Sequence, residues 1–286
     1  MDNTFAAQTL HCYPPAPALR GLVSHYWLSR DGGGDRHRVL PDGCVDLVLR
    51  LRDGDGEWQA FGTSTRPSDV PVDPGCVYFG IRFQPGQSRH FLPVPGRLLT
   101  DTAQPLARPA GLSAERLAEL IARPDPAFAV DRLLSRWLAG QPPQPRRLDG
   151  ALALLSRAAP GVSVTALSAR LNLSRRQLER DFLEWVGVPP KVFMGIRRSQ
   201  QALALLSRPS PAAPLADIAL AAGYADQSHM TRELKRYLGV TPGAPGCRFT
   251  MSPLFKSRPA RRPRVGLLLK PKEQHDETLV RCGHRA

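Results

Sequence analysis

The sequence predicts an α+β multidomain chain, with a β-rich N-terminal domain and trailing helices followed by an all-α C-terminal domain of two helix-turn-helix units joined by a linker helix. Three observations carry this. Short runs rich in Val, Leu and aromatics, each closed by Gly, Pro or Asp, fill Leu22 to about Leu92. Apolar residues at helical spacing fill residues 148–249. Within that second region one pattern occurs twice: Met230 answers Leu178, Leu234 answers Phe182 and Gly239 answers Gly187, a constant offset of 52 residues. A length of 286 residues suits two domains, each able to bury its own core.

The strand-like runs are "GLVSHYWLSR", "VLPDGCVDLVLRL", "WQAFGT" and "CVYFGIRF". Two helical stretches follow from Ser113 to Leu138, with Leu117, Leu120 and Ile121 in the first and Val130, Leu133, Leu134 and Trp137 in the second. They are expected to cap the sheet, to pair two subunits as a dimer surface, or both. These elements make up a first domain at 1–139. "GQPPQPRR", residues 140–147, reads as a linker, because closely spaced prolines favour extended chain. The helical domain spans 148–249, and the basic, proline-bearing tail at 250–286 lacks any sustained period and is expected to be disordered.

Charge narrows the class of partner. The net charge is +14, of which residues 1–149 supply +1, residues 150–247 supply +6 and residues 248–286 supply +7. An anionic partner of the C-terminal half, nucleic acid or a membrane surface, is implied. No window approaches the roughly 18 apolar residues of a membrane helix, and the N-terminus lacks the pattern of a secretory signal. A cytoplasmic protein without membrane attachment is expected. Cys12, Cys44, Cys76, Cys247 and Cys282 form no CxxC pair, so neither a disulfide framework nor a zinc ribbon is expected, and no metal or other cofactor.

In the repeat, each long helix carries an apolar stripe: Leu178, Phe182, Trp185 and Val186 in the first, Met230, Leu234, Tyr237 and Leu238 in the second. Each follows a shorter helix lined by Val164, Leu167, Ser168 and Leu171, or by Leu215, Ile218, Ala219 and Ala222. Asn172 and Gly223 stand where the chain must turn through the left-handed region. Ser174 caps the first long helix, with Gln177 completing a capping box, and Asp226 caps the second. Two helices joined by such a turn form a helix-turn-helix, whose second helix enters the DNA major groove with its N-terminal residues at base edges.

The predicted DNA-binding residues are therefore Arg175, Arg176, Gln177, Glu179 and Arg180 in the first unit, and Gln227, Ser228, His229, Thr231 and Arg232 in the second. Arg pairs with guanine, Gln with adenine, and Thr offers a methyl group to thymine. Glu179 either accepts from a cytosine amino group or pairs with a neighbouring Arg. The linker helix in "PPKVFMGIRRSQQALALLS" would span roughly 25–28 Å at 1.5 Å per residue, suited to holding two recognition helices near one DNA turn apart. Gly195 inside it costs about 1 kcal/mol relative to Ala unless close packing requires it.

At these residues the chain resembles the AraC/XylS family of bacterial transcription regulators. "SVTALSARLNLSRRQLERDF" is similar to that family's first helix-turn-helix, and "DIALAAGYADQSHMTRELKRYLGVTP" to its second. The resemblance implies a sequence-specific activator or repressor of no enzymatic activity. Its partners would be double-stranded promoter DNA, RNA polymerase, a small-molecule effector and a second copy of the chain. "RVLPDGCVDLVLRL" and "GIRFQPG" resemble a β-rich sensor domain found in some members, while the tail extends past the family's usual end.

Alternatives come from the N-terminal cysteines and aromatics. Cys12 or Cys44 as a nucleophile would make the protein a DNA-binding domain fused to an alkyl-transfer or redox-active domain. "PDGCVD" is also explained as a tight turn entering a strand. Trp27, Trp58 and Phe83 either line an effector pocket or fill the β core.

Overall fold

The computed structural model describes residues 9–30, 36–123, 125–142, 147–157, 162–207 and 213–242. The tail at 250–286, Cys247 and Cys282 lie outside the described residues, as do residues 143–146 of the expected linker. Among the described residues no helix is long and apolar enough to cross a membrane.

The N-terminal part is an antiparallel sheet of six strands in the order β1-β2-β7-β4-β5-β8. These are β1 (Thr9–Tyr13), β2 (Val23–Arg30), β4 (Asp46–Arg52), β5 (Asp55–Phe61), β7 (Val77–Phe83) and β8 (Ala103–Leu106). A separate ribbon pairs β3 (Arg36–Val39) with β6 (Ser68–Pro71). The central strands β2, β4, β5 and β7 are the apolar runs of the sequence. The remaining four strands are short, and three of them are polar or proline-bearing, "RHRV", "SDVP" and "AQPL". β8 tolerates Pro105 because it is an edge strand, pairing only with β5.

Alternation gives the sheet two unlike faces. Phe79, Ile81 and Phe83 of β7, with Leu47 and Leu49 of β4 and Tyr26 and Leu28 of β2, join one apolar core with Leu117, Leu120, Ile121, Val130 and Leu134. The last five belong to α2 (Ala114–Ile121) and α3 (Pro126–Ala139), which follow the single turn α1 (Gly96–Leu99). The apolar stripes of α2 and α3 are thus used to cap the sheet of their own chain. Trp58 and Phe83 are core residues. The second face carries His25, Trp27, Asp46, Gly80 and Arg82.

The C-terminal part is all α: α4 (Arg147–Arg157), α5 (Val164–Arg170), α6 (Arg175–Trp185), α7 (Pro190–Leu206), α8 (Leu215–Ala221) and α9 (Gln227–Leu238). It holds two cores. Leu148, Leu152, Leu167, Leu178, Phe182, Val186 and Phe193 form the first, with the Phe182 and Phe193 rings edge-on at 5.7 Å. Ile196, Leu203, Ala219, Ala222, Met230, Leu234, Tyr237 and Leu238 form the second. The linker helix α7 contributes to both. Its Gly195 is required by packing, since a Cβ there would lie 2.8 Å from Tyr237 Oη.

Candidate DNA-binding interface

The turns form as their residues dictate. Asn172 and Gly223 adopt φ of 51° and 87° between the paired helices. Ser174 Oγ accepts from the Gln177 amide at 3.1 Å, and an Asp226 carboxylate oxygen accepts from the His229 amide at 2.7 Å. Each bond satisfies one of the amides left open at a helix start. The reciprocal half of the expected capping box is replaced: the Gln177 side chain donates to Asp181 and accepts from Arg180, both at 2.6 Å. The Oε1 that would accept from the Ser174 amide is held by the charged Arg180 donor, while the buried Asp181 carboxylate holds Nε2.

The ten predicted contact residues all fall on the first turns of α6 and α9, but they are not equivalent. Arg175, Arg176, Arg180, Gln227, Ser228 and Arg232 are exposed. Glu179 forms an ion pair with Arg175 at 3.0 Å, which accounts for it as a partner of Arg. Thr231 Oγ1 donates to the Gln227 carbonyl at 2.9 Å. The His229 ring stands edge-on to Tyr224 at 5.2 Å, with Nε2 3.7 Å from Glu233. His229 therefore helps set the angle between α8 and α9. Glu233 in turn receives Arg198 of α7 through both carboxylate oxygens at 2.9 Å, tying the second recognition helix to the linker helix.

The β-rich part meets the C-terminal ends of the recognition helices, away from these residues. Thr63 Oγ1 donates to the Val186 carbonyl and Thr100 Oγ1 to the Gly187 carbonyl, each at 2.6 Å. These hydroxyls satisfy carbonyls that the end of α6 leaves open. Gly187, at φ +93°, is in a region reserved for glycine, and a Cβ would lie 2.8 Å from the Gly96 carbonyl oxygen. Arg97 pairs with Glu184 at 2.9 Å, and buried Arg89 with Asp149 at 2.6 Å. On the second unit, Gly239 packs beside Arg38 and Pro67. None of these contacts had a signal in the sequence, because each partner lies some 60 or more residues away.

On the second face of the sheet, Arg82 lies opposite His25 on one side and Asp46 on the other. Its guanidinium is buried and reaches Asp46 at 2.7 Å and Asp42 at 2.8 Å, so a charge that burial alone would disfavour is held by two carboxylates. Trp27 covers Gly80 and donates Nε1–H to Asp46 at 3.3 Å. Burial, reinforced by Arg82, lowers the His25 pKa to about 4, so its ring is neutral. Burial raises the Cys12 thiol, and burial with the nearby Asp42 carboxylate raises the Cys44 thiol well above its ordinary value. A nucleophilic cysteine needs the opposite environment. Asp42 itself accepts from the Cys44 amide at 2.9 Å, the tight turn expected of "PDGCVD". Among the described residues no cluster of three or more His, Cys, Asp or Glu could hold a metal ion.

Residues 11–105 match the family described as a domain of unknown function (DUF6597), and residues 167–244 match a helix-turn-helix domain family. Over 81 residues the chain is 35% identical to the HTH-type transcriptional regulator MtrA of Neisseria gonorrhoeae, covering 28% of this chain and 26% of that protein. It thus spans about a quarter of the length of that relative. A transcriptional regulator with an AraC-type DNA-binding domain from Chromobacterium violaceum is similar at 28% identity and TM-score 0.30, covering 34% of this chain and 85% of that one. ToxT of Vibrio cholerae is similar at 9% identity and TM-score 0.43, covering 76% and 96%. The family match falls on the duplicated helical units, and the MtrA relative is itself a regulator of the helix-turn-helix type. The chain therefore carries a helix-turn-helix domain at residues 167–244 behind a DUF6597 domain at residues 11–105, and in its helical part it is similar to a helix-turn-helix transcriptional regulator.

Proposed function

We propose that the protein is a sequence-specific transcription regulator that reads two successive major grooves of promoter DNA with α6 and α9, over a site of roughly 20 base pairs. The observation that carries this is the duplicated unit whose two polar N-terminal faces are exposed while the β-rich part grips the opposite ends of the same helices. Arg180 and Arg232 are assigned to base edges. Arg175, Arg176, Gln227 and Ser228 flank them as base or phosphate contacts. Gln177, Glu179, His229 and Thr231, held by protein partners, position the helices or reach DNA after exchanging those partners.

The N-terminal domain is the controlling part under this proposal. Its attachment to both helical units gives an effector bound to it a route to the recognition helices. RNA polymerase and a second copy of the chain are the further partners. The test is genome-wide occupancy of the wild type against the Arg180→Ala, Arg232→Ala double variant. Discrete peaks sharing one motif, lost in the variant, are expected. Diffuse binding that the substitutions leave unchanged would show that charge alone holds the protein to DNA.

A further inference from the structure

The turn between β3 and β4, Leu40 to Cys44, does something the fold of the sheet does not need. Leu40 leaves its own domain and is buried in the core of the second helix-turn-helix unit, the core that also holds Ile196, Leu203 and Leu234. Three residues later, Gly43 at φ +80° lies flat against Phe193, a core residue of the first unit; a Cβ there would stand 2.5 Å from Phe193 Cε2. Between them the Pro41 carbonyl accepts from Gln200 Nε2 of α7. One short turn of the N-terminal domain therefore touches both helical cores and the helix that joins them.

The turn is also anchored from behind. Asp42 pairs with Arg82 at 2.8 Å, and Arg82 is held on the central strand by Asp46 at 2.7 Å. Asp42 spends its other oxygen on the Cys44 amide, which sets the turn geometry. A displacement of β7 or of the polar face around Arg82 is thus carried by hydrogen-bonded, closely packed groups to α7.

We infer that this turn is a wedge that sets the relative orientation of the two recognition helices, with Leu40, Asp42 and Gln200 as positioning residues for DNA reading. The inference rests on the two-groove reading proposed above. Two recognition helices on one rigid body read two half-sites only at one spacing, so the wedge governs spacing discrimination and leaves each half-site contact alone. It also explains how a domain remote from the bases alters their reading: a tilt of one unit about α7 moves one recognition helix out of its groove.

The test uses the full chain. The duplex it prefers is selected from a random-sequence pool, and binding is measured to that duplex, to each half-site alone, and to duplexes with one base pair inserted or removed between the half-sites. Leu40→Ala, Asp42→Asn and Gln200→Ala are compared with wild type, with thermal unfolding recorded for each. We expect half-site affinities within about 2-fold of wild type, a loss of about 10-fold on the selected duplex, and a flattened preference for its spacing. Unchanged spacing discrimination in all three variants overturns the wedge. So does a uniform loss on half-sites and full duplex alike, which a merely structural role would give. Failure of the wild type to select any motif overturns the two-groove reading itself, an outcome separable from the others.

Discussion

Gly187→Ala tests whether the end of the first recognition helix is built to receive the β-rich domain. The backbone there has φ +93°, and holding an L-residue in such a region costs roughly 1–2 kcal/mol. The new Cβ would stand 2.8 Å from the Gly96 carbonyl oxygen and 2.7 Å from Thr100 Oγ1. The first of these is backbone and cannot rotate away. Relief requires the two domains to separate locally, which lengthens the 2.6 Å hydrogen bond from Thr100 to the Gly187 carbonyl and loses about 1 kcal/mol. Together these predict a loss of about 2–3 kcal/mol in urea unfolding of the full chain at 25 °C. Gly239→Ala is the control, since it shares the positive φ of 72° but faces only the flexible end of Arg38 at 3.0 Å and Pro67 at 3.4 Å. Gly187→Ala should exceed it by about 1 kcal/mol. Equal losses, or a change below about 0.5 kcal/mol for Gly187→Ala, would refute the reasoning that backbone approach between the domains sets the cost.

Two further predictions concern the polar face of the sheet. His25 has a pKa of about 4 in the fold against an ordinary 6.5, so the unfolded chain binds the extra proton between these values and stability falls as pH drops from 6.5 to 4. The shift sets an upper limit of about 3 kcal/mol, read as the difference in pH dependence between wild type and His25→Gln; parallel curves would remove His25 as the source. Cys12 and Cys44 should react with iodoacetamide at pH 7 at least about tenfold more slowly than a free thiol, because burial keeps both protonated. Rapid stoichiometric labelling of either cysteine in the mass spectrum would restore the case for cysteine chemistry.

Much of the DNA-binding half was legible because its determinants are local. An amphipathic stripe, a capping Ser174 or Asp226 and a left-handed Asn172 or Gly223 each act within about one helical turn, so residues in sequence order carry the outcome. The offset of the two units then marked α6 and α9 as equivalent long helices with exposed polar N-terminal faces. Composition likewise marked the four central strands, whose buried runs read as apolar wherever they pair.

Tertiary structure decided the rest. The short strands β3, β6 and β8 exist through partners far along the chain, and "RHRV" or "AQPL" names no partner. That the stripes of α2 and α3 meet the sheet depends on what lies beneath them, which their own residues do not specify. Gln177 left its capping role because Arg180, three residues along, offers its Oε1 a charged donor while buried Asp181 fixes its Nε2. Most of all, "LPDGC" reads as an ordinary turn in sequence, and only packing reveals that Leu40 and Gly43 reach the cores of two other units. Local sequence determined which helices could read DNA; the long-range approach of Arg82, the turn and α7 decided how those helices are held relative to one another, because such contacts draw their energy from residues that adjacency in the chain does not bring together.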